Sequence, residues 1–169
     1  MKLILESSLK VKKIPRVLVN DEVFSEIIIE NEEENKYPNY GFCLNQSYLR
    51  LIYRWLIDNN YIEWIEWDYF RYFFEGKPCD DNIRQIVWLK KSKESIGVLL
   101  EEMHKLLKSK HRTLSAEQKQ RIKTITPMIF VDAKGKPCQF YKKSGTESRV
   151  DAENLETFLA SIQEFANIY

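Results

Sequence analysis

Two cysteines stand in the same tetrapeptide, Gly-Lys-Pro-Cys, which occurs as Gly76–Cys79 and again as Gly135–Cys138. A cysteine becomes a nucleophile when a nearby base or helix amino terminus lowers the pKa of its thiol. The lysine within each copy, Lys77 or Lys136, would lower that pKa only slightly, so we interpret both cysteines as small apolar residues that close a turn. Each copy follows an apolar-acidic lead-in, Phe73-Phe74-Glu75 or Phe130-Val131-Asp132. The repeat therefore predicts an internal duplication.

Other candidates for catalysis or metal binding are weak. His104 and His111 are seven residues apart, and no Cys-x-x-Cys pair accompanies them, so we interpret both as surface histidines on a basic helix end. Cys43, between Phe42 and Leu44, is most simply a core residue. The sequence contains no GxxxxGK[ST], GxGxxG, GxSxG or HExxH pattern. We therefore expect a non-enzymatic protein with no cofactor and no metal.

Charge is distributed unevenly along a chain whose formal net charge is +1. Residues 21–35 hold seven acidic side chains and no basic one, whereas residues 86–126 hold ten Lys or Arg against four Glu. The first residues lack a signal-peptide pattern, and no apolar run is long enough to span a bilayer. Three widely spaced cysteines do not form a disulfide framework. We expect a cytoplasmic protein without membrane contacts.

The basic stretch is the feature that favours a binding function. Two helices are predicted around it, and if they form a helix-turn-helix, the cations lie where DNA phosphates pass. In that arrangement Lys119 or Arg121 could approach base edges. The candidate contacts are Lys105, Lys108, Lys110, Arg112, Lys119, Arg121 and Lys123. A solvated basic face is the alternative, because cations at a helix carboxyl end also stabilise the helix dipole, and the turn at 108–114 is long for this motif.

The first forty residues favour β structure. Residues 17–19 and 23–29 are rich in β-branched side chains and flank a possible turn at 20–22, which predicts a hairpin. A helix over 21–30 is the competing interpretation. The polar segment 31–41 is predicted to be a loop and a boundary.

A helix is predicted next, since apolar residues recur at the spacing of one buried face. Asn45 or Ser47 can cap its start, and 58–60 can end it. The face consists of Leu49, Ile52, Tyr53 and Leu56. The aromatic segment 64–74 then predicts a short second helix, with a strand as the alternative. Its inward residues would be Trp67, Phe70 and Phe74.

The pattern of two helices and a Gly-Lys-Pro turn then repeats. The third helix has Ser92 as its predicted cap, and its apolar face consists of Ile96, Leu99, Leu100 and Met103. The fourth is predicted over 115–123, because Ser115 followed by Gln118 is a capping-box signal. A last helix is predicted over 151–167, where an apolar stripe repeats at helical spacing.

Ile86-Val87-Trp88, followed by Ser92-Lys93, Ile96 and Leu99, resembles the RteC-type regulators of conjugative transposons in Bacteroides-like bacteria. The match covers about fifteen of the 169 residues. The resemblance implies a winged-helix-like DNA-binding lobe. It carries over Trp88, Ser92 and Lys93 as structural markers of that lobe and transfers no base-contacting residue.

These observations predict a mostly helical α+β protein. We expect a β element and acidic loop at 1–40, a first helical unit at 41–88, and a second, more basic unit with a closing helix at 89–169. The expected function is that of a DNA-associated regulatory or accessory protein of a bacterial mobile element. The alternative is a protein–protein interaction module that uses the aromatic segment 61–74.

Overall fold

The structure is a computed structural model that describes residues 10–13, 17–19, 22–24, 27–30, 37–107, 113–140 and 149–168. The chain divides into two compact units, Met1–Asn35 and Lys36–Tyr169. We call them the amino-terminal unit and the main unit. The helical units predicted at 41–88 and 89–169 both lie within the main unit.

The amino-terminal unit contains two antiparallel strand pairs. Its strands are β1 (Lys10–Lys13), β2 (Val17–Val19), β3 (Glu22–Phe24) and β4 (Ile27–Glu30). β2 pairs with β3, and β1 pairs with β4. The predicted hairpin is therefore confirmed for β2 and β3, and the competing helix over 21–30 is wrong. The second strand predicted at 23–29 is divided between β3 and β4, which pair with different strands. Glu22 belongs to a strand instead of the turn, since it pairs with Val19.

The main unit begins its helical part with α1 (Gln46–Asp58) and α2 (Trp67–Glu75). Asn45 caps α1, as predicted, because its side-chain oxygen accepts a hydrogen bond from the Ser47 amide at 2.8 Å. Phe70 and Phe74 are fully buried, and Trp67 packs half-buried against the same core. The aromatic segment is thus a helix, and the alternative strand is wrong.

Two short strands, β5 (Ile86–Trp88) and β6 (Phe130–Asp132), pair in parallel at the centre of the main unit. On one side the segment 61–63 runs antiparallel to β5: the Glu63 amide donates to the Val87 carbonyl at 3.0 Å. On the other side the chain turns back after β6, and the Cys138 amide donates to the Phe130 carbonyl at 2.9 Å. This four-segment arrangement was not predicted.

Three further helices complete the main unit: α3 (Glu94–Lys105), α4 (Ala116–Ile129) and α5 (Val150–Ile168). The prediction that Ser92 caps α3 is wrong, because the cap position is Lys93 and no side chain fills it. Ser92 instead lies buried, and its carbonyl accepts from the Ser95 hydroxyl at 2.8 Å and the Trp88 indole at 3.4 Å.

α4 runs six residues beyond its predicted end at Lys123, since Ile125 and Ile129 continue its buried stripe. The closing helix α5 is confirmed, and a ring stack joins it to α1. The rings of Trp55 and Phe158 lie 4.5 Å apart and nearly parallel. The coarse α+β, mostly helical class is therefore confirmed. No helix in the described ranges combines the length and apolar character that a membrane crossing needs.

Candidate nucleic-acid interface

The start of α4 is fixed by a reciprocal capping box. The Gln118 amide donates to the Ser115 hydroxyl at 3.1 Å, and the Ser115 amide donates to the Gln118 side-chain oxygen at 2.9 Å. Each bond gives an acceptor to a backbone N–H group at the start of the helix, where no helical carbonyl is in reach. The first turns of α4 are thereby held in helical form although almost all of their side chains are exposed.

One face of α4 is anchored to the core by a buried hydroxyl pair. Thr126 donates its hydroxyl to the Ile122 carbonyl at 2.7 Å. The Tyr40 hydroxyl lies 2.9 Å from the same Thr126 oxygen and therefore donates to it. Burial raises the pKa of the Tyr40 hydroxyl far above its usual range. Tyr40 thus stays neutral and connects α4 to the segment 37–44.

Arg121 lies on a flank of α4 that also faces this segment. Its guanidinium donates to the Tyr40 carbonyl at 3.2 Å and to the Asn39 carbonyl at 3.0 Å. A helix turns 100° per residue, so Arg121 projects about 160° away from Lys119. The structure therefore gives Arg121 a positioning role in the fold of the main unit.

Lys119 and Lys123 lie together on the opposite flank of α4. They are four residues apart, which places them on one side of the helix about one turn from each other. Both are exposed, and within the described ranges neither takes part in an ion pair. We call this pair the α4 flank.

The remaining predicted contacts belong to the end of α3 and the segment that follows it. Lys105 forms an ion pair with Glu102, whose side chain is mostly buried. Lys108, Lys110 and Arg112 lie outside the described residues. The structure thus brings Lys119 and Lys123 together, and it commits Arg121 and Lys105 to contacts within the protein.

Two predictions about single residues are wrong. His104 is 5% exposed instead of lying on the surface, and its ring packs edge-on against Phe42 with centroids 6.1 Å apart. It extends the apolar face of α3 by one position, and its Nδ1 has no hydrogen-bond partner among the residues that the structure describes. Cys43 is exposed, because Phe42 and Leu44 on either side of it both turn inward. His111, the second predicted surface histidine, lies outside the described residues.

The two repeated cysteines have thiols that resist ionisation. Burial raises the pKa of Cys79, and the carboxylate of Asp80 raises it further. Burial also raises the pKa of Cys138, which is 2% exposed. Both shifts disfavour the thiolate that nucleophilic or metal chemistry needs. In the described parts of the chain, no group of three His, Cys, Asp or Glu side chains could hold a metal ion.

A set of cations at the carboxyl ends of β5 and β6 was not predicted. Lys91 and Lys93 follow β5, and Lys134 and Lys136 follow β6. Each pair comes directly after a short β-branched and aromatic segment, which is a signal that the sequence contains. Whether the two pairs of lysines lie at the same end of a sheet depends on the parallel pairing of the two strands, and no local sequence pattern shows that pairing.

The aromatic segment 61–74 is mostly core. Tyr61, Tyr69 and Phe73 are buried, whereas Trp64 is 61% exposed. Trp64 lies at a groove of about 330 Å³ whose lining includes Arg84. An interaction surface in this segment therefore depends on Trp64.

Comparisons with known proteins give no relative for this chain: no family model, curated protein or solved structure matches it. The resemblance to RteC-type regulators stays a prediction. Trp88, Ser92 and Lys93, the three residues that carry it, lie around the start of α3.

Proposed function

We propose that this is a non-enzymatic, DNA-associated regulatory or accessory protein of a bacterial mobile element. The observation that carries the proposal is the α4 flank, where Lys119 and Lys123 extend from a helix whose position is fixed. The capping box, the Arg121 hydrogen bonds and the Tyr40–Thr126 pair hold α4 in place. Binding through a preformed surface avoids the cost of ordering that surface in the complex.

Lysine side chains of this kind contact DNA phosphates and position the protein on the duplex. Gln120 is exposed on α4, about 60° around the helix from Lys123, and carries an amide that can pair with adenine in the major groove. Arg121, by contrast, is held by carbonyls of the main unit. Lys119 and Gln120 are therefore the better candidates for an approach to base edges.

The order of elements supports the finer, winged-helix-like interpretation. α3 and α4 are two successive helices, and β6 with the segment 136–138 forms a hairpin directly after them. A helix-turn-helix followed by a hairpin is the order in which such a lobe would present a recognition helix and a wing. In this interpretation α4 is the recognition helix.

Fluorescence anisotropy with a labelled duplex tests the proposal. We expect binding at about 50 mM salt that weakens steeply as salt rises, with a log–log slope of about −0.9 for each neutralised phosphate. The double variant Lys119→Gln/Lys123→Gln should lose up to about 1.8 of that slope. The matched control is Arg54→Gln/Lys77→Gln, which removes two exposed cations elsewhere on the main unit.

Two results would contradict the proposal. An anisotropy titration of the wild-type protein that shows no binding to duplex DNA at about 50 mM salt would contradict DNA association altogether. Equal losses in the α4 variant and its control would show that net charge, and not the α4 flank, determines binding.

A protein-interaction module remains the second candidate function, and the exposure of Trp64 favours it. Large aromatic side chains dominate the energetics of protein interfaces. Iodide quenching of tryptophan fluorescence, compared between wild type and Trp64→Phe, measures whether this ring is accessible in the free protein. A Trp64 that is shielded in the monomer would remove the candidate.

A further inference from the structure

The turn after β6 is built around the carboxylate of Asp132. One Asp132 oxygen accepts hydrogen bonds from the backbone amides of Lys134 and Lys136, each at 2.9 Å. The Lys136 amide is the main cause that lowers the pKa of Asp132, and the Lys134 amide and the charges of Lys93 and Lys136 add to it against a desolvation effect. The turn therefore has a defined backbone from which two lysine side chains extend.

Parallel pairing places the segment after β5 beside this turn. Trp88, the last residue of β5, pairs with Asp132, the last residue of β6. The Lys93 ammonium donates to the Lys90 carbonyl at 3.1 Å just after β5, and its charge acts to lower the pKa of Asp132 and of Cys138 in the β6 hairpin. Residues that the sequence separates by about forty positions thus share one end of the sheet.

Acidic neighbours do not neutralise this end of the sheet. Asp151 already pairs with Lys90 at 3.5 Å, and Glu94 pairs with Arg149 at 3.4 Å. Three exposed lysines, which we call the sheet-end lysines, take part in no ion pair among the described residues: Lys91, Lys134 and Lys136. With Lys93, four lysines stand against the single carboxylate of Asp132, which leaves a local excess of positive charge.

We infer that the sheet-end lysines form a second surface that contacts the phosphate backbone of duplex DNA. This inference rests on the proposed function and extends it from the α4 flank to the β6 hairpin. Lysine ammonium groups act as point charges and do not form the bidentate contacts that arginine makes with guanine. The surface therefore strengthens binding to any duplex without selecting its sequence.

A comparison of four proteins tests the inference: wild type, Lys91→Gln/Lys134→Gln/Lys136→Gln, the α4 double variant, and the variant that combines all five changes. The measurement is the salt dependence of duplex binding by anisotropy. We expect the sheet-end triple variant to lose up to about 2.7 of the log–log slope, and equally on two unrelated duplex sequences. Arg54→Gln/Lys77→Gln/Arg84→Gln is the control that removes the same charge from other exposed positions.

The outcomes separate this inference from the proposed function. A slope that falls in the α4 variant and stays at the wild-type value in the sheet-end variant overturns the inference and leaves the proposed function standing. The reverse result supports the inference and overturns the α4 flank as the site. Absence of wild-type binding overturns both, and so does an equal loss in the control. A triple Lys→Arg variant at the sheet end should restore the slope, since it keeps the charge.

Discussion

The two Gly-Lys-Pro-Cys turns have nearly the same backbone requirement and quite different surroundings. Gly76 has φ of 75° and Gly135 has φ of 79°, a left-handed conformation that favours glycine. Gly76 ends α2, and its amide donates to the Tyr72 carbonyl at 2.8 Å. Gly135 lies in the turn after β6, and its amide donates to the Asp132 carbonyl at 2.9 Å. The same four residues thus end a helix in one place and reverse a strand in the other.

The two turns differ in how closely other residues enclose them and in whether their lysine has an acidic partner. The first turn is enclosed: a Cβ on Gly76 would lie 2.7 Å from the Asn39 side-chain oxygen, and Lys77 lies 3.9 Å from the buried Glu75 carboxylate. The second turn is open: apart from the glycine and its two chain neighbours, no atom of the described residues lies within 4 Å of a Cβ on Gly135. The shared residues thus specify a backbone conformation, whereas the lysine differs: Lys77 has an acidic partner, and Lys136 takes part in no ion pair among the described residues.

The largest expected effect distinguishes the two glycines. Gly76→Ala should destabilise the protein by about 1–3 kcal/mol, because the left-handed strain applies and the Asn39 side chain must also shift away from the new Cβ. Gly135→Ala should cost about 1 kcal/mol, because only the strain applies. Urea unfolding of both variants gives the two values. Equal losses would show that the surroundings of the turns do not differ as described.

A double variant sharpens this result. Asn39→Ala in the Gly76→Ala background should recover part of the lost stability, since it removes the oxygen that a Cβ would meet. The same Asn39→Ala change combined with Gly135→Ala should show no coupling. Coupling of equal size in both pairs would contradict a local clash at Gly76.

Thiol labelling of the native protein should distinguish the two cysteines of the repeat. Cys43 is exposed, Cys79 is half-buried and Cys138 is buried. We expect Cys43 to react first and Cys138 to react at least about a hundredfold more slowly, since its exposure needs an opening of about 3 kcal/mol or more. Mass spectrometry of labelled peptides measures the order. Labelling of Cys138 as rapid as that of Cys43 would rule out its burial.

A smaller effect concerns Asp132, the acidic residue that precedes the second turn, and the dependence of its contribution to stability on pH. Asp132 has a pKa lowered from 3.8 by amide hydrogen bonds, so its contribution to stability is present above that value and is lost as pH falls through the lower folded-state pKa. Asp132→Asn should therefore unfold at a lower temperature than wild type at pH 7, and the difference should shrink at pH 2–3. A difference in melting temperature that is constant between pH 7 and pH 2 would contradict this role of Asp132.

Local patterns in the sequence predicted much of the helical part of the fold. The Asn45 cap, the Ser115–Gln118 capping box and the apolar stripe of α5 each depend on residues within a few positions of each other. The β5–β6 pair was not predictable in this way, because it joins strands of three residues that are more than forty positions apart. The candidate site follows the same division: Lys119 and Lys123 were among the seven predicted contacts, whereas the sheet-end lysines were not.

Two errors have a related cause. The basic helix end around His104 and the apolar neighbours of Cys43 favoured the wrong predictions, whereas the burial of each residue depends on which side chains turn inward. In α3 the buried face extends from Leu100 through Met103 to His104. Around Cys43, alternate residues of an extended segment point to opposite sides, so burial of Phe42 and Leu44 exposes the residue between them.

Acetylation footprinting of lysines, with and without saturating duplex DNA, tests most directly whether the chain binds DNA through its cationic surfaces. Each lysine reports on its own position, and Lys77 of the first turn serves as an internal control on the same molecule. We predict that DNA protects Lys119 and Lys123 of the α4 flank and Lys134 and Lys136 of the second turn, and leaves Lys77 as reactive as before. Unchanged reactivity of all five lysines at saturating DNA would contradict the account.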